Sequence, residues 1–110
     1  MKTVKDKYLV VGADFAGFPL KEVVVEHLEK KGWKILDLGV KKDSDPNDTD
    51  LMFHRVGLRV GAEISEGNYE RALAEDPVCP WCGIPAQGGR IHLRTHRFCG
   101  NIPVLAVAAL

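Results

Sequence analysis

A short apolar run that ends in glycine, Tyr8–Gly12, is the feature of this sequence that most constrains its fold. Such a run is typical of a strand that is buried on both faces of a parallel sheet. Leucine and valine then recur at every fourth position over residues 20–28, which predicts an amphipathic helix, and residues 33–38 alternate as a strand does. We therefore predict a βαβ unit over residues 8–39. Ligands bind beyond the carboxyl ends of such strands, here near Gly39 and at the end of the first strand.

A second amphipathic helix follows this unit. A polar loop over residues 40–50 precedes apolar residues that recur at spacing four from Met52 to about Ser65. Gly57 and Gly61 weaken this helix by about 1 kcal/mol each relative to alanine. They also leave one flank of the helix narrow enough for close packing against another part of the chain.

After the second helix the pattern becomes less regular. Residues 71–74 predict a third strand, whereas residues 75–100 form a segment rich in cysteine, proline and glycine in which only Ile91–Leu93 resembles a strand. The stretch 103–110 is apolar throughout and predicts a last buried strand. The length of the chain suits a single domain over residues 1–110.

The charge and cysteine content of the chain exclude several classes of protein. Its 15 basic and 15 acidic residues balance, so no long-range field favours nucleic acid or an anionic membrane. No apolar run approaches the roughly 20 residues that cross a bilayer, and we expect a cytoplasmic protein. The three cysteines cannot all pair within one chain, which favours thiols, metal ligands or a reactive residue over a disulfide framework.

Three segments, in order, resemble the opening of the type B ribose-5-phosphate isomerases: Val11-Gly-Ala-Asp-Phe-Ala-Gly-Phe-Pro-Leu-Lys-Glu22, His27 to Gly32, and Leu36-Asp-Leu-Gly39. The likeness to this family, which includes the galactose-6-phosphate isomerases, covers residues 8–70. It implies a Rossmann-like three-layer α/β/α fold with a mainly parallel sheet, truncated at the carboxyl terminus relative to the family. It also implies isomerisation of a phosphorylated sugar between aldose and ketose through an enediol, without a metal or organic cofactor, in a homodimer or higher oligomer.

The resemblance also implies roles for individual residues. Asp14 would hold sugar hydroxyls, and Cys82 would be the base that moves the proton. The other positions that the resemblance implies are Gly12, Ala13, Gly17 and Asp48 at the sugar, and Asn101 and His96 at ring opening and the enediolate.

The sequence departs from the family pattern at two of these places. Phe15 replaces the histidine of the family's Asp-His-Ala-Gly motif, and the segment Cys82–Gly89 lacks the family's threonine and its glycine spacing. From the residues alone, Asp14 can equally cap a helix or turn, and Cys82 can be an inert thiol in a loop. The glycines near Asp14 can equally serve a tight turn.

Two alternative interpretations therefore stay open. The first is a catalytically silent or partner-dependent subunit, because in galactose-6-phosphate isomerases two related chains share the work. The second is a zinc site in the irregular segment, where Cys-x-x-Cys and His-x-x-x-His spacings supply ligands that tetrahedral zinc accepts. Its candidate ligands are Cys79, Cys82, His92, His96 and Cys99.

Overall fold

The computed structural model describes residues 1–86 and 89–110, so Gln87 and Gly88 of the Cys82–Gly89 segment lie outside the described residues. The strands and α-helices, in chain order, are β1 (Tyr8–Gly12), α1 (Phe18–Lys30), β2 (Lys34–Asp37), α2 (Phe53–Ser65), β3 (Ala72–Ala74), β4 (Arg90–Arg94), β5 (Cys99–Pro103) and α3 (Val104–Ala108). A short 3-10 helix, Thr49–Leu51, lies between β2 and α2.

The strands form one mixed sheet in the order β2-β1-β3-β4-β5. Strand β1 pairs in parallel with both β2 and β3, whereas β4 pairs antiparallel with both β3 and β5. The predicted βαβ unit, the second helix and the third strand are confirmed. The predicted strand at Ile91–Leu93 is also confirmed and lies within β4.

Helices cover both faces of this sheet. Leu9 and Val11 of β1 face a core that contains buried residues of α1 and α3, whereas Val10 faces the buried valines of α2. Successive residues of β1 point to opposite faces, as the pleat of a strand requires. These layers confirm the Rossmann-like three-layer α/β/α fold, with a parallel core of three strands and an antiparallel extension of two. None of the described helices is long and apolar enough to span a membrane.

The narrow flank of α2 packs against the segment that follows β3. A Cβ atom added at Gly57 would lie 2.5 Å from Cβ of Pro80, and one at Gly61 would lie 3.2 Å from Nε1 of Trp81. The same Trp81 nitrogen donates a hydrogen bond of 2.8 Å to the carbonyl oxygen of Gly57. The close packing predicted for these glycines is therefore confirmed, and its partner is this irregular segment.

The predicted terminal strand over residues 103–110 is wrong. Strand β5 ends at Pro103, and the residues that follow form α3, which packs on α1 through Val107 and leaves Leu105 82% exposed. A short apolar run does not by itself distinguish a strand from a helix. The alanines in this run favour the helix, because alanine has the highest helix propensity of any residue.

Candidate functional site

Three carboxyl groups gather where strands β1 and β3 end. Asp14 follows β1 closely, and Glu75 and Asp76 follow β3 directly. The backbone N–H of Asp14 donates a hydrogen bond of 2.6 Å to Oδ1 of Asp76, and Oδ1 of Asp14 accepts one of 2.9 Å from the backbone N–H of Gly17. Since β1 and β3 are parallel neighbours, their carboxyl ends meet at the edge where α/β folds bind ligands.

A cavity of about 210 Å³ lies beside these groups and is lined by Asp14, Asp76, Pro77 and Val78. A larger cavity of about 400 Å³ lies elsewhere, on the α1 side of the sheet, where Arg71 has the one ionisable side chain among its described lining residues. Proton transfer needs ionisable groups placed beside the substrate. We place the candidate functional site at the smaller cavity, because it lies at the carboxyl ends of parallel strands and two of its described lining residues are carboxylates.

The glycines near Asp14 allow three chain segments to approach closely. A Cβ atom at Gly17 would lie 2.5 Å from the carbonyl oxygen of Glu75, and one at Gly39 would clash with the backbone of Ala13. At Gly12 a Cβ atom would lie 2.6 Å from a methyl carbon of Val60. Close packing thus explains each of these glycines, against backbone at Gly17 and Gly39 and against side chains at Gly12. The ligand contact predicted for Gly12, Ala13 and Gly17 stays a prediction.

The carboxyl groups that follow β3 are almost fully buried, with Glu75 5% and Asp76 1% exposed. Both side-chain oxygens of Glu75, and Oδ2 of Asp76, have no hydrogen-bond partner among the described residues. Burial raises the pKa of Glu75 well above its ordinary value, and the charges of Asp76 and Asp37 add to this effect.

Asp76 has the electrostatic property that a general base requires. Burial raises its pKa to about 7; the backbone hydrogen bond from Asp14 opposes this shift, and the negative charge of Asp14 adds to it. A carboxyl group with this pKa exchanges its proton near neutral pH, where a catalytic base is most effective. It also lines the cavity, so geometry and pKa point to the same residue.

A buried ion pair at the end of β2 acts electrostatically on this site. The side chain of Lys21 is 0% exposed, and its Nζ lies 2.6 Å from Oδ2 of Asp37, the last residue of β2, and 2.7 Å from Oε1 of Glu22. Burial lowers the pKa of Lys21, but hydrogen bonds and attraction to the two carboxylates outweigh burial, and the net pKa is raised. The charge of Lys21 in turn opposes the rise in the pKa of Glu75.

Cys82 lies in a different part of the molecule. Its Sγ lies within 4.8 Å of those of Cys79 and Cys99. In the sheet, Cys99 of β5 lies opposite Arg94 of β4. Arg94 in turn lies opposite Ala72, the first residue of β3. The cysteine cluster is therefore level with the amino end of β3, whereas the candidate site follows its carboxyl end.

The pKa of Cys82 is nevertheless shifted in the direction of a reactive thiol. A backbone hydrogen bond from Ile84 lowers this pKa, which favours the thiolate form. The side chain is exposed, but it does not belong to the described residues that line the cavity at Asp14. Its role as the base therefore stays a prediction from the family resemblance.

Asn101 lies on β5, and β4 separates it from the strand that Asp76 follows. It faces His92 across the ladder of β4 and β5, and its Oδ1 accepts a hydrogen bond of 3.3 Å from Nη1 of Arg90. Nε2 of the buried His92 lies 2.8 Å from the carbonyl oxygen of Asp76. A carbonyl oxygen only accepts, so Nε2 must carry a proton, and His92 helps to hold the backbone of Asp76 in place.

His96 and Asp48 lie apart from Asp14. His96 is exposed and lines a separate cavity with Arg71. Arg71 directly precedes β3, so this cavity lies at the amino end of that strand and not at its carboxyl end. Asp48 is also exposed, and its Oδ1 caps the 3-10 helix by accepting a hydrogen bond of 2.9 Å from the N–H of Asp50. Within residues 1–86 and 89–110, no hydrogen bond joins either side chain to Asp14.

Glu75 and Asp76 are not among the site residues predicted from the sequence. A usable signal was present, because two consecutive carboxylates directly after a buried parallel strand lie at the ligand-binding edge of an α/β sheet.

A sequence model of the family described as Ribose/Galactose Isomerase matches residues 9–79, which is more than half of the chain. The matched segment runs from β1 past β3 and contains both Asp14 and Asp76. It ends at Cys79, so Cys82, His96 and Asn101 lie beyond it. No curated protein and no solved structure matches the chain.

Proposed function

This chain belongs to the ribose/galactose isomerase family, and from that membership we propose that it isomerises a phosphorylated sugar at the cavity beside Asp14 and Asp76. The observation that carries the proposal is the direct hydrogen bond between these two residues at the carboxyl edge of parallel strands. Both residues lie inside the family-matched segment. The substrate class is a pentose or hexose phosphate, with ribose 5-phosphate as the first candidate.

In the proposed reaction Asp76 is the base. Its carboxylate removes the proton from the carbon next to the aldehyde, and the C–H electron pair forms the double bond of an enediol as the carbonyl oxygen takes a proton from water. The second hydroxyl then gives its proton to water, the new carbonyl forms, and the former aldehyde carbon receives the proton held by Asp76. Oδ2 of Asp76 is the atom available for this transfer, because Oδ1 already accepts the N–H of Asp14.

Asp14 would orient the sugar. Its Oδ1 is held by the N–H of Gly17, which fixes the direction of the carboxylate and leaves Oδ2 for a sugar hydroxyl. Glu75 lies behind these groups as a buried carboxyl group whose raised pKa favours the neutral form. A neutral neighbour adds no repulsion to the negative enediolate.

Cys82 is the competing candidate for the base, from the resemblance to the ribose enzymes. In that version Asn101 and His96 would act at the enediolate and at ring opening. The thiol is exposed and lies in the cysteine cluster, so this mechanism requires a rearrangement of the segment after β3. Separate substitutions of Asp76 and Cys82 distinguish the two bases.

One observation favours the second candidate function, a subunit that depends on a partner chain. The described residues that line the cavity include two carboxylates but no arginine or lysine. A phosphate dianion is bound by cations and hydrogen-bond donors, with arginine the usual choice. In this version a second copy of the chain or a related subunit supplies those cations.

The test is isomerisation of ribose 5-phosphate in D₂O, followed by proton NMR, with allose 6-phosphate and galactose 6-phosphate in parallel. Formation of ketose with deuterium at the carbon next to the carbonyl supports the enediol mechanism. Absence of both turnover and exchange in a folded sample would contradict an active single-chain enzyme. Activity that appears only with a related subunit would then identify the partner-dependent form.

A further inference from the structure

The three cysteines of the chain form one cluster, although one of them is distant in sequence from the other two. Sγ of Cys79 lies 3.5 Å from Sγ of Cys99, and the three sulfur atoms of Cys79, Cys82 and Cys99 lie within 4.8 Å of one another. A disulfide bond would require about 2.05 Å between two sulfurs. The sulfurs are therefore those of free thiols.

The spacing of the sulfurs matches that of ligands around one small cation. Four ligands at about 2.3 Å from zinc, in a tetrahedron, place neighbouring sulfurs about 3.8 Å apart. The distance of 3.5 Å between Cys79 and Cys99 and the limit of 4.8 Å on the other two distances are compatible with this value. Among the described residues, Cys82 also accepts a backbone hydrogen bond from Ile84, but what the three thiols share is their contact with one another. A shared cation would satisfy all three.

The turn that carries two of the ligands is built to hold them on one side. The N–H of Cys79 donates to the carbonyl oxygen of Ile84 at 2.9 Å, and the N–H of Gly83 donates to the carbonyl oxygen of Cys79 at 3.0 Å. Gly83 has a φ of +77°, a conformation that glycine adopts without strain. This tight turn directs Cys79 and Cys82 toward the same point.

The third ligand comes from the sheet. Cys99 begins β5 and lies opposite Arg94 in the ladder with β4, so both side chains point to the same face. Trp81 lies in the same turn as Cys79 and Cys82, and the guanidinium of Arg94 lies 5.8 Å from the centre of its ring. Nε of Arg94 has no hydrogen-bond partner among the described residues. A zinc ion with three thiolates carries a net charge of −1, and a neighbouring guanidinium offsets it.

From this arrangement we propose that Cys79, Cys82 and Cys99 bind one zinc ion, which fastens the irregular segment after β3 to strand β5. Cys79 is buried and Cys82 is exposed, so the fourth coordination position faces solvent on the Cys82 side and takes a water molecule. The histidines of the predicted zinc set do not join the cluster in the described part of the chain. His92 instead bonds the carbonyl oxygen of Asp76.

The test is the metal content of the chain purified without chelator, together with cobalt substitution. The expected results are one zinc per chain and, with cobalt, the absorption bands of a tetrahedral site with thiolate-to-metal charge transfer. Cys82→Ser should weaken metal binding by more than about 100-fold, because loss of even an outer-shell partner costs 10- to 100-fold. His96→Ala is the control and should keep full zinc content and an unchanged cobalt spectrum.

Three outcomes would overturn the proposal: background zinc content with no cobalt charge-transfer bands, loss of metal in His96→Ala, or a disulfide bond between Cys79 and Cys99 in protein purified without reductant. If Cys82→Ser fails to fold, the cobalt titration of the unmodified chain still decides the matter. The proposed zinc site does not depend on Asp76 acting as the base, because the cysteine cluster lies level with the other end of β3.

Discussion

The backbone N–H of Asp14 donates a hydrogen bond of 2.6 Å to Oδ1 of Asp76, and this bond joins residues that are 62 positions apart. It connects the loop after β1 to the loop after β3, the two neighbouring parallel strands at the centre of the candidate site. Because the donor is a backbone group, the contact depends on the path of the chain around Asp14. The packing that fixes this path therefore also fixes the geometry of the proposed base.

The stability of the protein should fall as the pH rises from about 4 to about 7. Burial raises the folded-state pKa of Asp76 from 3.8 to about 7 and raises that of Glu75 well above 4.5. A raised pKa means that the folded protein binds the proton more tightly than the unfolded chain does. The stabilisation is thus complete at a pH below the pKa of the group in the unfolded chain, and it is lost as the pH rises through the pKa of the group in the folded protein. Over this range the free energy of unfolding falls by up to about 1.4 kcal/mol per pH unit for each group.

Urea denaturation of the wild type and of Glu75→Gln across this range measures the effect. The variant should have a shallower pH dependence and a larger free energy of unfolding at pH 7, because glutamine keeps the shape of the side chain without its charge. Glu29→Gln, at an exposed position of α1, is the matched control and should leave the slope unchanged. Equal slopes for the wild type and Glu75→Gln would contradict the assigned burial of Glu75.

Gly17→Ala should destabilise the protein and impair the site. The added Cβ would lie 2.5 Å from the carbonyl oxygen of Glu75. Because its nearest neighbours are backbone atoms of Glu75 and Asp76, no side chain can rotate away to make room. We expect a loss of about 3 kcal/mol, at the upper end of overpacking effects. Gly67→Ala is the control: it has open space but a φ of +77°, so it should cost only about 1 kcal/mol. Thermal denaturation of both variants makes the comparison, and equal losses would argue against close packing at Gly17.

Lys21→Met should destabilise the protein by about 3 kcal/mol. Removal of one partner leaves the Asp37 carboxylate, whose side chain is only 19% exposed, without its cation. Lys30→Met on the same helix removes an exposed pair with Glu26 and should change stability by less than about 0.5 kcal/mol. Chemical denaturation at pH 7 tests both variants, and a neutral effect of Lys21→Met would show that Asp37 is well solvated.

The regular part of the fold could be predicted because its patterns are long and periodic. The buried run of β1 and the spacing of apolar residues in α1 and α2 each favour one type of element. The terminal stretch could not be assigned in this way, because a uniformly apolar run has no period. Strand β5, Cys99–Pro103, contains a cysteine, two polar or small residues and a proline, so neither its composition nor its alternation indicates a strand.

The candidate site was predicted only in part. Asp14 could be identified because its motif precedes a helix and follows a buried strand. Asp76 was missed because its importance depends on the parallel pairing of β1 with β3, a contact between distant segments that periodicity does not encode. The convergence of Cys99 with Cys79 and Cys82 likewise depends on the position of β5 in the sheet.

The most direct test of the central claim is the kcat/KM for isomerisation of ribose 5-phosphate, measured against pH for the wild type, Asp76→Asn and Cys82→Ala. The proposed mechanism predicts that kcat/KM of the wild type rises with pH to a plateau above about 7, the pKa of Asp76. It also predicts that Asp76→Asn lowers kcat/KM by about 100-fold or more, whereas Cys82→Ala keeps the activity of the wild type. Full activity in Asp76→Asn together with lost activity in Cys82→Ala would contradict the assignment and identify the thiol as the base.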